Sequence, residues 1–145
     1  MGAPKVYNGN EVTLLIGDVL IDSGLGDSEF LSYESAEDDI TSLVGADGEV
    51  AISKTNNPLV NFDVSVLQTS EANDVFSGMR LLRRAPGNAG VAPYTVRDRN
   101  GRTLHEGKCW VRKSPTVTMA KSATVRQWAF SGVEDYGFDG GNLSA

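Results

Sequence analysis

The chain has 145 residues, a single cysteine, a single histidine and a formal net charge of -6 at pH 7. That length supports one domain able to bury a sizeable core without staples, and a lone Cys109 excludes an internal disulfide. The longest apolar run, Val12–Ile16, is cut by Gly17-Asp18 and falls far short of the ~20 residues that a bilayer span requires.

The opening Met1-Gly2-Ala3-Pro4-Lys5 lacks the apolar core of a secretory signal, so a cytoplasmic origin is expected. Strands are predicted at Val12–Ile16, Val19–Ile21 and 30–33, the last inside an extended acidic loop over 22–39 that contains Gly24 and Gly26. Next come Ile40–Val44 and 49–54, joined by Gly45-Ala46-Asp47-Gly48, where Asp47-Gly48 suits a tight turn needing positive φ. Over Leu59–Leu67, Val60, Phe62, Val64 and Val66 fall on one face while Asn61, Asp63 and Ser65 fall on the other, the pattern of a half-buried strand.

The apolar period then changes from two to 3.6. Ala72, Val75, Phe76, Met79 and Leu82 predict one amphipathic helix over 71–83, with Ser70 placed to cap it. Glu71 and Asp74 stand near its positive end and Arg80, Arg83 and Arg84 near its negative end; Pro86-Gly87 stops it. Further strands are predicted at 94–98, 103–113, 116–120 and 124–133, with an Asn100-Gly101 turn. Trp128 and Phe130 share a side of the last strand with Arg126, and Trp110 is expected to face them in the core. Residues 136–145 are Gly-rich and expected to form a flexible tail. The fold class is therefore mainly β: an antiparallel β-sandwich or partial barrel with one flanking α-helix, residues 1–145 forming a single domain.

Charge is divided unevenly. Residues 1–79 carry fourteen acids against Lys5 and Lys54, whereas residues 80–145 carry eleven bases against five acids. Such a chain can present opposite charges to copies of itself, bind nucleic acid through its basic half, or interleave the halves on one mixed surface.

Motifs for chemistry are weak throughout. His105 and Cys109, four apart on a strand, lie on one face about 13 Å from each other, too far to share a metal or form a nucleophilic pair. Gly24-Leu25-Gly26 lacks the third glycine of a dinucleotide fingerprint, because Glu29 stands there. Asp98-Arg99-Asn100-Gly101 lacks the glutamate that closes a calcium loop, Cys109 occupying that position. Asp38-Asp39 reads as a solvated charge run, since adjacent strand residues point oppositely. No catalytic residue, metal ligand or cofactor site is predicted.

The run Ile40-Thr41-Ser42-Leu43-Val44-Gly45-Ala46-Asp47-Gly48-Glu49-Val50 is followed by Val64-Ser65-Val66-Leu67-Gln68-Thr69-Ser70, then by Asn73-Asp74-Val75 and Met79. With Val96-Arg97-Asp98 and Asn100-Gly101, Trp110 and Lys113, and Arg126-Gln127-Trp128, this order resembles the tail tube proteins of contractile-tailed bacteriophages. The resemblance implies a β-sandwich with one flanking helix, and six-membered rings stacked into a hollow tube for genome passage. It implies no catalytic residue and no cofactor. The partners implied are further copies of the chain, sheath, tape-measure, baseplate and tail-terminator proteins, with DNA passing through without specific binding. The localisation implied is the virion tail, assembled in the cytoplasm of the host bacterium. The tube of a related contractile injection or secretion device, and a nucleic-acid-binding β-domain, are the alternative readings.

Two strands adjacent along the chain each carry a face of short polar or acidic side chains: Glu49, Ala51, Ser53 and Thr55 on one, Asn61, Asp63 and Ser65 on the other. A sheet packed on its opposite face can be completed by strands from adjacent copies until an inner barrel closes, its polar face then lining a wet bore. Glu49, Asp63, Asn61, Ser65 and Asp39 are accordingly expected to face a lumen. Arg97, Arg99, Arg102, Arg112, Lys113 and Lys121 are expected to meet Asp22, Asp27 and Glu29 of a neighbouring ring, giving head-to-tail attraction.

Overall fold

A computed structural model describes residues 12–17, 19–21, 31–98 and 102–141. Nine strands and one helix are present among them: β1 (Val12–Ile16), β2 (Val19–Ile21), β3 (Leu31–Ser35), β4 (Ile40–Val44), β5 (Val50–Lys54), β6 (Leu59–Leu67), α1 (Ala72–Leu81), β7 (Ala92–Asp98), β8 (Leu104–Lys113) and β9 (Val125–Phe138). Seven strands form one antiparallel sheet in the order β2-β1-β7-β8-β9-β6-β3, and β4 pairs only with β5. The fold is thus mainly β with a single α-helix among the described residues, which by themselves close no barrel.

The large sheet doubles over. Residues of β3 and β6 meet residues of β7 and β8 across the interior: the Tyr33 and Tyr94 hydroxyls lie 2.8 Å apart, and the Phe62 ring sits 5.1 Å from that of Tyr94. Register shifts at Glu106/Gly107 and Val111/Lys113 interrupt the long β8–β9 ladder, and such bulges are where a sheet bends sharply enough to face itself. Between the halves lies the core of Leu14, Ile16, Ile21, Val60, Phe62, Val64, Val66, Tyr94, Val96, Cys109, Trp128 and Phe130. On β6 the alternation is complete, with Val60, Phe62, Val64 and Val66 buried and Asn61, Asp63 and Ser65 turned outward.

Helix α1 closes one end of this sandwich. Phe76, fully buried, meets Trp128 and Phe130 edge-on at ring separations of 5.6 and 5.0 Å. Ser70 Oγ accepts the Ala72 backbone N–H at 3.2 Å from one residue ahead of the N-cap, a position that Glu71 occupies without a side-chain cap bond. The predicted span of 71–83 shortens to Ala72–Leu81, and Leu82–Arg84 tighten into a 3-10 turn in which Arg83 Nη1 donates to the Arg80 carbonyl at 3.0 Å. That bond satisfies a terminal carbonyl at the negative end of the helix.

Four expectations change. Residues 116–120 form no strand: despite alternating Thr and Val they pair with nothing, and Val117 and Met119 stand exposed in the connection between β8 and β9. Strand β9 continues past 133 to Phe138, so Tyr136, read as the start of a tail, is paired with Glu106. Trp110 is paired with Ser131 on the outer face and is not part of the buried core. Finally β5 and β6, consecutive in the chain, belong to different sheets. The Asn100-Gly101 turn lies outside the described residues.

Candidate assembly surfaces

Three surfaces carry the residues of functional interest. The first is the outer face of the β3–β6–β9–β8 half. Asn61, Asp63 and Ser65 project there from β6, opposite Ser131, Ala129 and Gln127 of β9. Ser131 donates its hydroxyl to Asn61 Oδ1 at 2.7 Å, and Arg112 Nη2 lies 3.7 Å from Asp63 Oδ1 with both side chains partly exposed. The β6 side of this face is therefore hydrophilic, a shallow hollow of about 490 Å³ opens beside Asp63, Arg112, Gln127 and Ala129, and the Arg112–Asp63 pair contributes little in water.

Of the residues expected beside Asp63, Asn61 and Ser65 share its face, whereas Glu49 and Asp39 do not. Glu49 sits in the turn of the β4–β5 hairpin, where its backbone N–H is bonded to Asp47 Oδ1 at 3.1 Å. Asp39 precedes β4, its carbonyl accepting the Thr55 N–H at 2.7 Å at the base of the same hairpin. Because β5 leaves the large sheet, the face of Ala51 and Ser53 does not continue that of β6.

The hairpin is the second surface. Every residue of β4 and β5 is exposed. The register pairs Val44 with Val50, Ser42 with Ile52 and Ile40 with Lys54, so Ile40, Val44, Val50 and Ile52 share one side, at 55–66% exposure. Leu43, 74% exposed, is on the other. The turn itself is well made: Gly48 adopts φ +89°, Gly45 N–H donates to the Glu49 carbonyl at 2.7 Å, and Gly48 N–H to the Gly45 carbonyl at 3.0 Å. A two-stranded ribbon is marginal in water unless something covers it. Here nothing within the described chain does.

The third surface is an open cleft of about 640 Å³ between β3, β7, β8 and the end of β9. His105 lies at its floor, 7% exposed, with Nδ1 2.7 Å from Glu134 Oε1 and Nε2 2.6 Å from Asp139 Oδ1. Tyr33 donates its hydroxyl to Glu134 Oε1 at 3.1 Å, and its ring tilts over the imidazole at 4.3 Å. Burial pulls the imidazole pKa down, but hydrogen bonds to Glu134 and Asp139 and the charges of both outweigh it, leaving the pKa above its ordinary 6.5. Burial, first, and the Tyr33 hydroxyl's contact with Tyr94 raise the Tyr33 phenol; Tyr94 is pushed up to about 12, again chiefly by burial. Cys109 is fully buried in the core and its thiol is pushed up to about 12 by burial, which leaves it unreactive near neutral pH.

Among the bases expected to meet a neighbouring ring, Arg97 and Arg102 sit near the start of β8, while Arg112 and Lys113 sit at its far end. They form no single patch, and Arg112 lies beside Asp63. Lys121 is exposed in the β8–β9 connection. Asp22, Asp27, Glu29 and Arg99 lie outside the described residues.

Sequence reasoning missed the aliphatic side of the hairpin and the partners of His105. The first has a local signal in Ile40 and Val44, and in Val50 and Ile52, which fall on one side of the paired strands. The second had no local signal, since Glu134 and Asp139 are 29 and 34 residues away along the chain.

A protein-family model described as "Bacteriophage PhiTE tail tube protein" matches residues 15–135 of this chain. The chain is also similar to "Structural protein ORF10" of Pseudomonas phage KPP10, at 26% identity over 148 residues covering 97% of this chain and 86% of that protein.

Proposed function

The chain belongs to the bacteriophage PhiTE tail tube protein family, and from that premise we propose that it forms the conduit of a contractile tail: six-membered rings, stacked into a hollow tube through which DNA leaves the virion. A structural role in the virion follows from the family; the ring number, the bore and the passage of DNA are the proposal.

The observation that carries it is the β4–β5 hairpin. An arm with every residue exposed, four aliphatic side chains on one side and no partner strand in the described chain, is a surface made to be covered by another copy. Strands β2 and β3, the edges of the large sheet among the described residues, would likewise be continued by neighbouring copies until an inner barrel closes. Hexameric rings joined this way would stack head to tail, with the bases at the two ends of β8 meeting acids of the next ring. Sheath, tape-measure, baseplate and tail-terminator proteins would be the other contacts, in a tail put together in the host cytoplasm.

In this reading Asn61, Asp63 and Ser65 line the bore. One wall carboxylate about 10 Å from a DNA phosphate adds only ~0.4 kcal/mol of repulsion in water, so no single site holds or blocks the duplex. Arg112 on the same face is offset by Asp63, so the carboxylate repeated around each ring keeps the wall from being basic, which limits counterion-release binding and lets DNA slide without adhering. Glu49 and Asp39, lying on and below the hairpin, serve the contact between copies instead.

Electron microscopy of the concentrated, purified protein tests the assembly: uniform rings or hollow rods are expected, and featureless particles near 15.5 kDa would overturn it. The bore assignment has its own test. Asp63→Lys is expected to leave stability within about 1 kcal/mol of the parent, because the half-exposed pair with Arg112 contributes no more than that, and to leave rods intact. Virions carrying it should deliver their genome less efficiently, and normal delivery from intact tubes would remove Asp63 from the lumen.

A further inference from the structure

The hydrogen-bond geometry around His105 is more demanding than a buried polar contact needs to be. Its two ring nitrogens lie 2.7 and 2.6 Å from oxygens of two different carboxylates. A neutral imidazole carries one N–H and one lone pair, so it can satisfy only one carboxylate and must present a lone pair to the other. Only the imidazolium donates to both.

The surroundings sharpen that requirement. Glu34 and Asp39 line the cleft from β3 and its exit, Asp98 from β7, and Glu134 and Asp139 from β9 and beyond, while the buried Tyr94 hydroxyl lies behind it, 2.8 Å from that of Tyr33. No lysine or arginine lines it among the described residues. Among the described residues that line the cleft the imidazolium is thus the positive charge, with Arg102 packed against Gly140 just beyond Asp139, and the two carboxylates it bridges are not equivalent. Glu134 is 23% exposed and keeps the Tyr33 hydroxyl as a second donor, whereas Asp139 is 81% exposed. When one proton leaves, Nδ1–H can remain on Glu134 while Nε2 turns a lone pair toward Asp139, and Asp139 has water to turn to.

The chain is also shaped to admit the cluster. A Cβ on Gly137 would fall 1.8 Å from Glu134 Oε1 and 2.8 Å from His105 Nδ1, so the glutamate can curl back along its own strand only because residue 137 has no side chain. Just beyond, Thr103 Oγ1 donates to the Gly140 carbonyl at 3.2 Å, bringing the strand's exit against the start of β8.

We propose that His105 is a pH-operated clasp on the end of β9: its imidazolium bridges Glu134 and Asp139 and fastens the strand's exit, and loss of one proton releases Asp139. What the clasp holds in place is the stretch carrying Tyr136 and Phe138, whose side chains are 50% and 49% exposed. The proton therefore sets how firmly two surface aromatics are presented. Because the imidazole pKa is raised in the folded chain, the stabilisation is fully present below its ordinary 6.5 and is lost as pH rises through the higher folded value. This inference stands apart from the tube assignment, since it concerns contacts within one chain.

The chain's one histidine makes the test direct, because its imidazole NMR signals need no assignment. In the full-length protein the imidazole is expected to titrate above 6.5. Over the same pH range, amide exchange at Gly137 to Gly140, corrected for intrinsic rate, is expected to accelerate about tenfold, as the loss of one charge-assisted hydrogen bond requires. Exchange at Val64 and Val66 should not change. Asp139→Asn, at an exposed side chain that the core does not depend on, should lower the imidazole pKa and remove the exchange step. A histidine titrating at or below 6.5 overturns the clasp. Equal protection at Gly137 to Gly140 on both sides of the titration, or an unaltered step in Asp139→Asn, does so as well.

Discussion

Val44→Asp combined with Ile52→Asp abolishes ring and rod formation while leaving a folded chain of 15.5 kDa; that is the result expected if the hairpin is the principal contact between copies. The two side chains are 65% and 66% exposed on the aliphatic side of the ribbon, and neither touches the core, so the fold has no cause to fail. Covering a valine or isoleucine contributes about 1.5–3 kcal/mol when burial is complete, and less from a half-covered start. Losing two such contacts, and bringing two carboxylates to an apolar surface, removes about 2–4 kcal/mol per junction, equivalent to roughly 30-fold to 1000-fold in affinity. Each subunit makes its contacts repeatedly in a ring, so the effect multiplies and assembly fails outright at working concentrations. Size-exclusion chromatography with electron microscopy reads the outcome, and circular dichroism confirms that the sheet persists. Rods of normal length from the double variant would free the hairpin of this role and leave the assembly to other surfaces.

The hairpin shows where sequence reading succeeds and where it stops. Alternation is a local property, so β1, β2, β4 and β6 lie where the side-chain pattern alone predicts them, and Asp47-Gly48 marks a turn that Gly48 closes at φ +89°. Which strands become neighbours is not local. Chain order alone suggests that β5 and β6 lie side by side and so groups Glu49 with Asp63; pairing β6 with β9 and β3 puts Asp63 in the large sheet and leaves Glu49 in the turn of the separate hairpin. The same limit explains 116–120, whose Thr-Val-Thr-Met alternation suits a strand that finds no partner. Chemistry between distant segments is equally invisible: the only neighbour the local pattern offers His105 is Cys109, four residues away, whereas the groups that bind it arrive on β9 and just after it. Gly137 read as tail composition, yet its missing side chain is what lets Glu134 reach the imidazole. The polar alternation of β6, by contrast, needed only one strand, and its outward face was predictable in full.

Asn73→Ala is expected to cost about 3 kcal/mol of folding stability. Asn73 is 6% exposed and uses its amide completely. Nδ2 donates toward the carbonyls of Leu67, Gln68 and Ser70 at 3.0, 3.2 and 3.0 Å, and Oδ1 accepts the Trp128 indole N–H at 2.9 Å. One side chain thus ties the end of β6, the first turn of α1 and the aromatic centre of β9 together. Truncation leaves the buried indole N–H without its acceptor, at about 1–3 kcal/mol, takes a donor from three carbonyls of which those of Leu67 and Ser70 keep the backbone N–H groups of Ser70 and Asn73, and adds a small cavity. For a domain of this size, 3 kcal/mol lowers the melting temperature by roughly 6–12 °C. Urea unfolding followed by tryptophan fluorescence measures the loss. The indole's share is separable: in Trp128→Phe the donor is gone, so adding Asn73→Ala to it should cost measurably less than adding it to the parent, a coupling of at least ~0.5 kcal/mol. Strict additivity would mean that the 2.9 Å contact contributes nothing, and a cost below about 1 kcal/mol for Asn73→Ala would mean that α1 is held by the packing of Phe76 against Trp128 and Phe130 alone.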